Sequence, residues 1–282
     1  MKAIILGARG QVGHALVPIL GNKALAVTKD QFDFTQLSAI EKTLDIMAAE
    51  FIPDIIINLA AYTNVEQSEV DKDLATTVNC LAPKAIAQWC STHRIPIIHT
   101  STDYVFDGQK QAAYMEGDNT NPLNHYGVSK LAGERGVLES GAKAIIIRLS
   151  WVYSMTHAHS FVRKIMARAV TDKKLSVVAD QVGSPTHAKD AATVIAKFLP
   201  KLPASGLYHA TPQGYTSWHG FACAIMQEAG ITLESITPVP SHEFPVKAMR
   251  PANSQLDSSK LAKLGIAIAH WREGLREAMH TS

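Results

Sequence analysis

Cysteine is scarce in this chain of 282 residues: Cys80, Cys90 and Cys223 are its three, and no Cys-x-x-Cys spacing occurs. An odd, unclustered set excludes a disulfide framework and reads as reduced, packed thiols. Long apolar runs are missing too. The run that follows Lys2 breaks at Gly7 and Arg9, too short for a secretory h-region, and nothing approaches the roughly 18 apolar residues of a membrane span. A cytoplasmic protein is expected. Charge of one sign is also lacking, because 27 Lys and Arg against 25 Asp and Glu leave a net charge of +2. That balance gives no support to nucleic acid or a membrane surface as partner. The twelve histidines contain neither His-Glu-x-x-His nor a cysteine–histidine zinc spacing. His157-Ala158-His159 reads as a surface loop, and no metal is expected. Repeats and low-complexity stretches are absent. What remains, 46% hydrophobic and 18% charged, is ordinary globular composition, long enough for one large domain or two smaller ones.

The N-terminus is the first informative segment. Lys2-Ala3-Ile4-Ile5-Leu6 stops abruptly at Gly7, and Gly7-Ala8-Arg9-Gly10-Gln11-Val12-Gly13 precedes the helical spacing of Ala15, Leu16, Ile19 and Leu20. This is a buried strand, a glycine turn and a helix start. Such a turn lets backbone approach a pyrophosphate, while the helix N-terminus offers free N–H groups to the anion. The spacing G-x-x-G-x-x-G differs from the commoner G-x-G-x-x-G fingerprint, and glycines that only make a turn are the alternative reading.

Further apolar runs follow at Ala24 to Thr28, Ile55 to Leu59, Ile95 to Thr100 and Ala144 to Leu149, with helical patterns at Leu37 to Phe51 and Leu74 to His93. Their alternation predicts an α/β chain with a doubly wound, Rossmann-type parallel sheet, whose ligands collect at the carboxyl ends of the strands. The polar clusters Asn58 to Thr63, Ser101 to Asp103 and Ser150 to Tyr153 all fall at such ends. Beyond residue 152 the alternation is less regular, with helices near Ser160 to Val170 and Lys189 to Leu199, strands at Leu175 to Val178 and Leu207 to His209, and a proline-bearing tail. The expected division is a dinucleotide-binding domain over 1–152, to which 185–212 returns, and a smaller α/β substrate-binding lid from 153–184 and 213–282.

Tyr126 and Lys130 stand four residues apart in Asn124-His125-Tyr126-Gly127-Val128-Ser129-Lys130. On a helix they share a face, so the ammonium can favour the phenolate and bring a phenol of ordinary pKa about 10 toward a useful range. Proton transfer to or from a substrate oxygen is the chemistry suggested. A surface pair on a solvated helix is the plain alternative.

Together these segments resemble the extended short-chain dehydrogenase/reductases, and within them the dTDP-4-dehydrorhamnose reductase group. The resemblance also runs through Asn58 to Thr63, Ser101-Thr102-Asp103-Tyr104-Val105-Phe106, Pro122 to Glu134, Arg148-Leu149-Ser150-Trp151-Val152-Tyr153, Asp180-Gln181-Val182-Gly183-Ser184-Pro185-Thr186 and Arg250 to Ser254. It implies reduction of the 4-keto group of dTDP-4-dehydro-6-deoxy-L-mannose by a nicotinamide cofactor. Tyr126 would be the acid, Lys130 would lower its pKa and bond the nicotinamide ribose, and Thr102 would align the carbonyl oxygen. Gly7, Gly10, Gln11, Val12 and Gly13 would surround the pyrophosphate. Asp30, Asp33 and Phe34 would lie around the adenosine, and Ala60, Ala61 and Tyr62 around the ribose and nicotinamide. Val65, Asp103, Trp151 and Arg250 would meet the dTDP-sugar.

An acid after the second strand favours NADH, whereas arginine nearby favours a 2′-phosphate. Asp30 thus argues one way, Arg9 and Lys29 the other. NADPH is expected, with NADH use left open. By the same resemblance a homodimer is an analogy. The family's intersubunit magnesium cannot be placed on acids such as Glu228 or Glu243. Two other readings stay open: a cofactor-binding regulatory subunit resembling the β subunit of methionine adenosyltransferase, and a reductase of a related nucleotide sugar.

Overall fold

The isoleucine-rich runs become the centre of a parallel sheet in the computed structural model, which describes residues 1–158, 160–171, 174–232 and 236–280. His159 therefore lies outside the described residues. In chain order the first half contains β1 (Ala3–Leu6), α1 (Gln11–Leu20), β2 (Ala24–Val27), α2 (Ile40–Phe51), β3 (Ile55–Asn58), α3 (Lys72–Thr76), α4 (Ala82–His93), β4 (Ile97–Thr102), α5 (His125–Leu138) and β5 (Ala144–Leu149). Then follow β6 (Val152–Tyr153), α6 (Phe161–Thr171), β7 (Leu175–Val178), β8 (Val182–Gly183), β9 (Thr186–His187), α7 (Ala188–Phe198) and β10 (Gly206–His209). The chain ends with β11 (Thr216–Ser217), α8 (Trp218–Glu228), β12 (Ile236–Val239), α9 (Ser259–Ala262) and α10 (Trp271–His280).

The main sheet has six parallel strands in the order β10-β5-β4-β3-β1-β2. Because side chains alternate across a strand, Ile5, Ile57, Ile98 and Ile147 face α1 and α7, whereas Ile4, Ile56, Ile97 and Ile146 face α2 and α4. Both faces are covered, which is why the strands read as continuous apolar runs rather than alternating ones. The chain builds outward from β1 to β2 and then restarts on the other side of β1 with β3. That reversal opens a crevice above the strand ends.

A second apolar cluster gathers Tyr153, Val162, Ile165, Leu175, Val177, Phe221, Ile225, Trp271 and Leu275 from β6, α6, β7, α8 and α10. Around it the strands form two-stranded pairs, β11 with β8, β12 with β7 and β6 with β9. Among the described residues no helix is long and apolar enough to cross a membrane.

The helix expected over Leu74 to His93 is divided. A π-helical stretch, Thr77–Leu81, separates α3 from α4. Part of the cause is local, since Pro83 at the start of α4 has no N–H to give Asn79 O; the rest is tertiary, as buried Asn79 accepts from Tyr62 N at 2.8 Å and donates to Tyr62 O and to Ser129 Oγ. A Cβ on Gly133 of α5 would stand 2.0 Å from Asn79 O, so only glycine admits this contact. The strand expected from Ile95 runs instead from Ile97 to Thr102.

Candidate active site

Gly7 ends β1 with φ +83, and a Cβ there would lie 2.7 Å from Ala60 N after β3. Gly13 packs as tightly, since its Cβ would lie 2.5 Å from Gly7 O. The two glycines let the turn sit against the end of β3 and let α1 start close to it. No side chain caps α1 and no acid occupies its first turn, which leaves its first N–H groups for an anion.

Above this turn lies a cleft of about 690 Å³, large enough for a cofactor. Its lining includes Gly7, Gly10, Gln11, Val12, Gly13, Asp33, Phe34, Ala60, Ala61 and Tyr62 together with Thr102, Asp103, Tyr126, Lys130 and Trp151. Arg9, Thr28, Lys29 and Thr35 line its outer end, and His157, expected in a surface loop, lines it as well. The His157 signal was unreadable, because a loop histidine carries no mark of the cavity it turns toward. Gln11 is drawn across the cleft floor, donating to Val152 O at 3.1 Å.

Three expected residues stand outside this lining. Asp30 is paired with Arg9 at 3.2 Å on the exposed rim. Val65 lies in the turn whose carbonyl accepts from Ser68 Oγ. Arg250 sits beside that turn, its Nη1 2.6 Å from Glu66 Oε1. The structure therefore brings Val65 and Arg250 near one another, beyond the cleft.

α5 is placed firmly. Asn124 Oδ1 accepts from Gly127 N at 2.8 Å as the N-cap, and Asn124 Nδ2 donates to Met249 O at 2.7 Å. Gly127 is itself tight against Tyr104 O. Tyr126 consequently stands edge-on to Tyr104, ring centres 6.1 Å apart.

The electrostatics correct one expectation. Lys130 does not bring the Tyr126 phenol down: burial pushes its pKa up to about 12, with a hydrogen bond to Thr102 opposing and the Asp103 charge adding to the rise. Lys130 is itself buried, and burial lowers its pKa to about 8 against the pull of Glu134. Desolvation outweighs the pair effect that i,i+4 spacing suggests. Asp103 is raised to about 6 by burial, despite donors at Ser254, Ser150 and Thr102. Ser150 Oγ donates to it at 2.9 Å and Thr102 Oγ1 at 3.0 Å.

Trp151 follows β5 with φ +48, a conformation uncommon outside glycine and often kept at functional sites. Its ring lies on Trp218, centres 3.5 Å apart and 6° from parallel. Trp218 is a site neighbour the sequence did not disclose. The Trp151 N–H is buried against Gly183. A Cβ on Gly183 would lie 2.5 Å from the indole. Gly183→Ala is therefore expected to overpack the stack and cost about 1–3 kcal/mol, read as a lower urea midpoint with changed tryptophan emission. An unchanged midpoint and emission would show that the indole has room to move.

Away from the cleft, His187, Asp190 and Glu277 place metal-capable atoms within 4.8 Å of one another. Glu277 already pairs with Lys189, and burial followed by the Glu277 charge raises Asp190 to about 6.

The family model described as RmlD substrate binding domain matches residues 1–282. The chain belongs to that family. It is 36% identical to a dTDP-4-dehydrorhamnose reductase of Aggregatibacter actinomycetemcomitans, over 98% of this chain and 97% of the relative. It is 37% identical to the Burkholderia thailandensis protein of the same name, over 96% of each. A solved Bacillus anthracis dTDP-4-dehydrorhamnose reductase in complex with NADP superposes with a TM-score of 0.92 at 34% identity, covering 100% of both chains. Family members thus share this fold along its whole length.

Proposed function

We propose that this protein reduces the 4-keto group of dTDP-4-dehydro-6-deoxy-L-mannose with NADPH, giving dTDP-L-rhamnose. The observation that carries the reading is the joining, in one cleft, of the glycine turn with Thr102, Tyr126 and Lys130, in a chain whose relatives bear that reductase name. The cleft fits a dinucleotide: an uncapped helix start receives the pyrophosphate, with Gly10, Gln11 and Val12 around it. Asp33 and Phe34 flank the adenosine, and Ala60, Ala61 and Tyr62 the nicotinamide half. Arg9 and Lys29 line its outer end while Asp30 is held by Arg9 outside it, which supports the 2′-phosphate form.

When bound, the cofactor supplies the hydride. Tyr126, kept protonated at neutral pH, delivers a proton to the carbonyl oxygen, and Thr102 orients that oxygen. Lys130 holds the nicotinamide ribose. Asp103 and Trp151 border the sugar, while Val65 and Arg250 meet the nucleotide end from outside the cleft, where the guanidinium suits a diphosphate. The division into a cofactor domain, 1–152 with 185–212, and a lid, 153–184 with 213–282, belongs to the same proposal. It is supported by β10 extending the main sheet and by the separate apolar cluster around Phe221. So do a cytoplasmic location and a homodimer, both by likeness to the family.

The test is incubation with dTDP-4-dehydro-6-deoxy-L-mannose and NADPH, following loss of reduced cofactor and identifying the sugar. Conversion to dTDP-L-rhamnose is expected. Absence of reduction, together with a stoichiometric protein partner in a pull-down, would make this a regulatory subunit.

A further inference from the structure

Lys130 reaches past the cleft into the sheet. Its Nζ donates to Thr100 O at 2.6 Å and lies 3.4 Å from His99 Nε2. His99 is wholly buried in the middle of β4, in register with Asn58 on one side and Ile146 on the other. An ammonium has three N–H bonds and no lone pair. The imidazole nitrogen that meets it must therefore be the unprotonated one, with the proton on Nδ1. Two of the three N–H bonds are then directed into the fold, toward Thr100 O and His99 Nε2. The third is left for the cleft, which Lys130 lines.

We propose that His99 is a positioning residue for Lys130: its Nε2 lone pair anchors the ammonium, keeps it cationic and leaves its remaining N–H bond aimed into the cleft. The reading of Lys130 as a ribose-binding cation above is the one on which this rests. Burial, and then the Lys130 charge, hold the imidazole well below its ordinary pKa, so His99 is neutral near neutral pH, where Lys130 is charged. Of the other titratable groups around Lys130, Glu134 on α5 favours its cation but is already bonded to Arg148 on β5. Tyr126 on α5, Tyr104 in the turn after β4 and Cys80 in the π-helical stretch are all raised by burial and stay neutral. Asp103, raised to about 6, is ionised near neutral pH and is held by its own donors. His99 is thus the acceptor whose removal leaves a buried N–H bond unmatched.

The first test needs no variant. Nitrogen-labelled histidine in the wild-type protein should show His99 with Nδ1 protonated and Nε2 bare at neutral pH. A proton on Nε2 overturns the proposal. Next, the Lys130 titration is followed by NMR with carbon-labelled lysine in His99→Leu, His99→Asn and His99→Gln. Leucine offers no acceptor and asparagine is too short, so both should lower the Lys130 pKa by about one unit or more, the size of shift expected for a lost charge-stabilising contact. Glutamine, whose amide oxygen reaches the same place, should restore it. The alkaline limb of ketone reduction should move down with the first two and return with the third. A Lys130 titration unmoved in the leucine and asparagine proteins sinks the inference. If the wild type reduces no ketone, the proposed function fails while the lysine titration still decides the role of His99. Should the leucine protein not fold, the asparagine protein decides, and the wild-type tautomer does so if neither folds.

Discussion

Tyr126→Phe is expected to lower kcat for ketone reduction by at least about a hundredfold, the low end for losing a general acid, while the Kd for NADPH stays as in the wild type. The phenol stands beside Thr102 in the cleft, and burial has raised its pKa to about 12. An acid for reduction must carry its proton when the substrate arrives. At that pKa Tyr126 is protonated throughout the neutral range, and in the proposed reaction its proton would leave as negative charge builds on the carbonyl oxygen. The site group that titrates just above neutral pH is instead Lys130, lowered to about 8. The alkaline limb in the wild type should therefore fall near that value and follow the lysine, not the phenol. Rate and cofactor titration measured across pH check both points. Turnover unchanged in the phenylalanine protein would remove Tyr126 from the role of acid.

Arg148→Met is expected to cost about 3–5 kcal/mol of folding stability, the penalty for stranding one member of a buried ion pair. Arg148 and Glu134 have side chains 2% exposed, and they meet through two parallel bonds, Nε to Oε1 at 2.8 Å and Nη2 to Oε2 at 2.7 Å. Arg148 also packs over Phe106, 5.0 Å from its ring centre. The pair ties α5 to β5 one helical turn beyond Lys130. Replacing both members, Glu134→Leu with Arg148→Met, should recover most of the loss, because no buried charge is left alone. Urea unfolding of the two single variants and the double one gives the comparison. A methionine protein as stable as the wild type would mean that water reaches the Glu134 carboxylate.

Much of the main sheet was legible because its signals are local. A β-branched run bounded by Gly7, the glycine spacing to Gly13, and the strand Ala144 to Leu149 each announce themselves within a few residues. The break in the long helix had one local sign, Pro83 near the start of α4, which cannot give Asn79 O a hydrogen bond. The other part of the break, Asn79 bonding to Tyr62 and Ser129, depends on partners that lie distant in sequence. Trp151 was readable as a candidate, yet its stacking on Trp218 and its N–H against Gly183 depend on how α8 and β8 return to the end of β5. Tyr126 and Lys130, four residues apart, both line the cleft. The direction of the tyrosine shift was not in that spacing, since burial is set by everything packed around it. His99 shows the same limit: one histidine in an apolar strand says nothing of a lysine on the following helix.

The outermost strand on one side of the main sheet, β10, joins β5 only after α7 has crossed back. During synthesis, β5 must leave the ribosome with one backbone edge still open, and that edge stays unpaired until Gly206–His209 has emerged. An unpaired strand of buried isoleucines is a template for pairing with another chain. The nascent protein thus passes through a window in which chaperone capture competes with aggregation, and a stop within the intervening segment would release a product with that edge exposed.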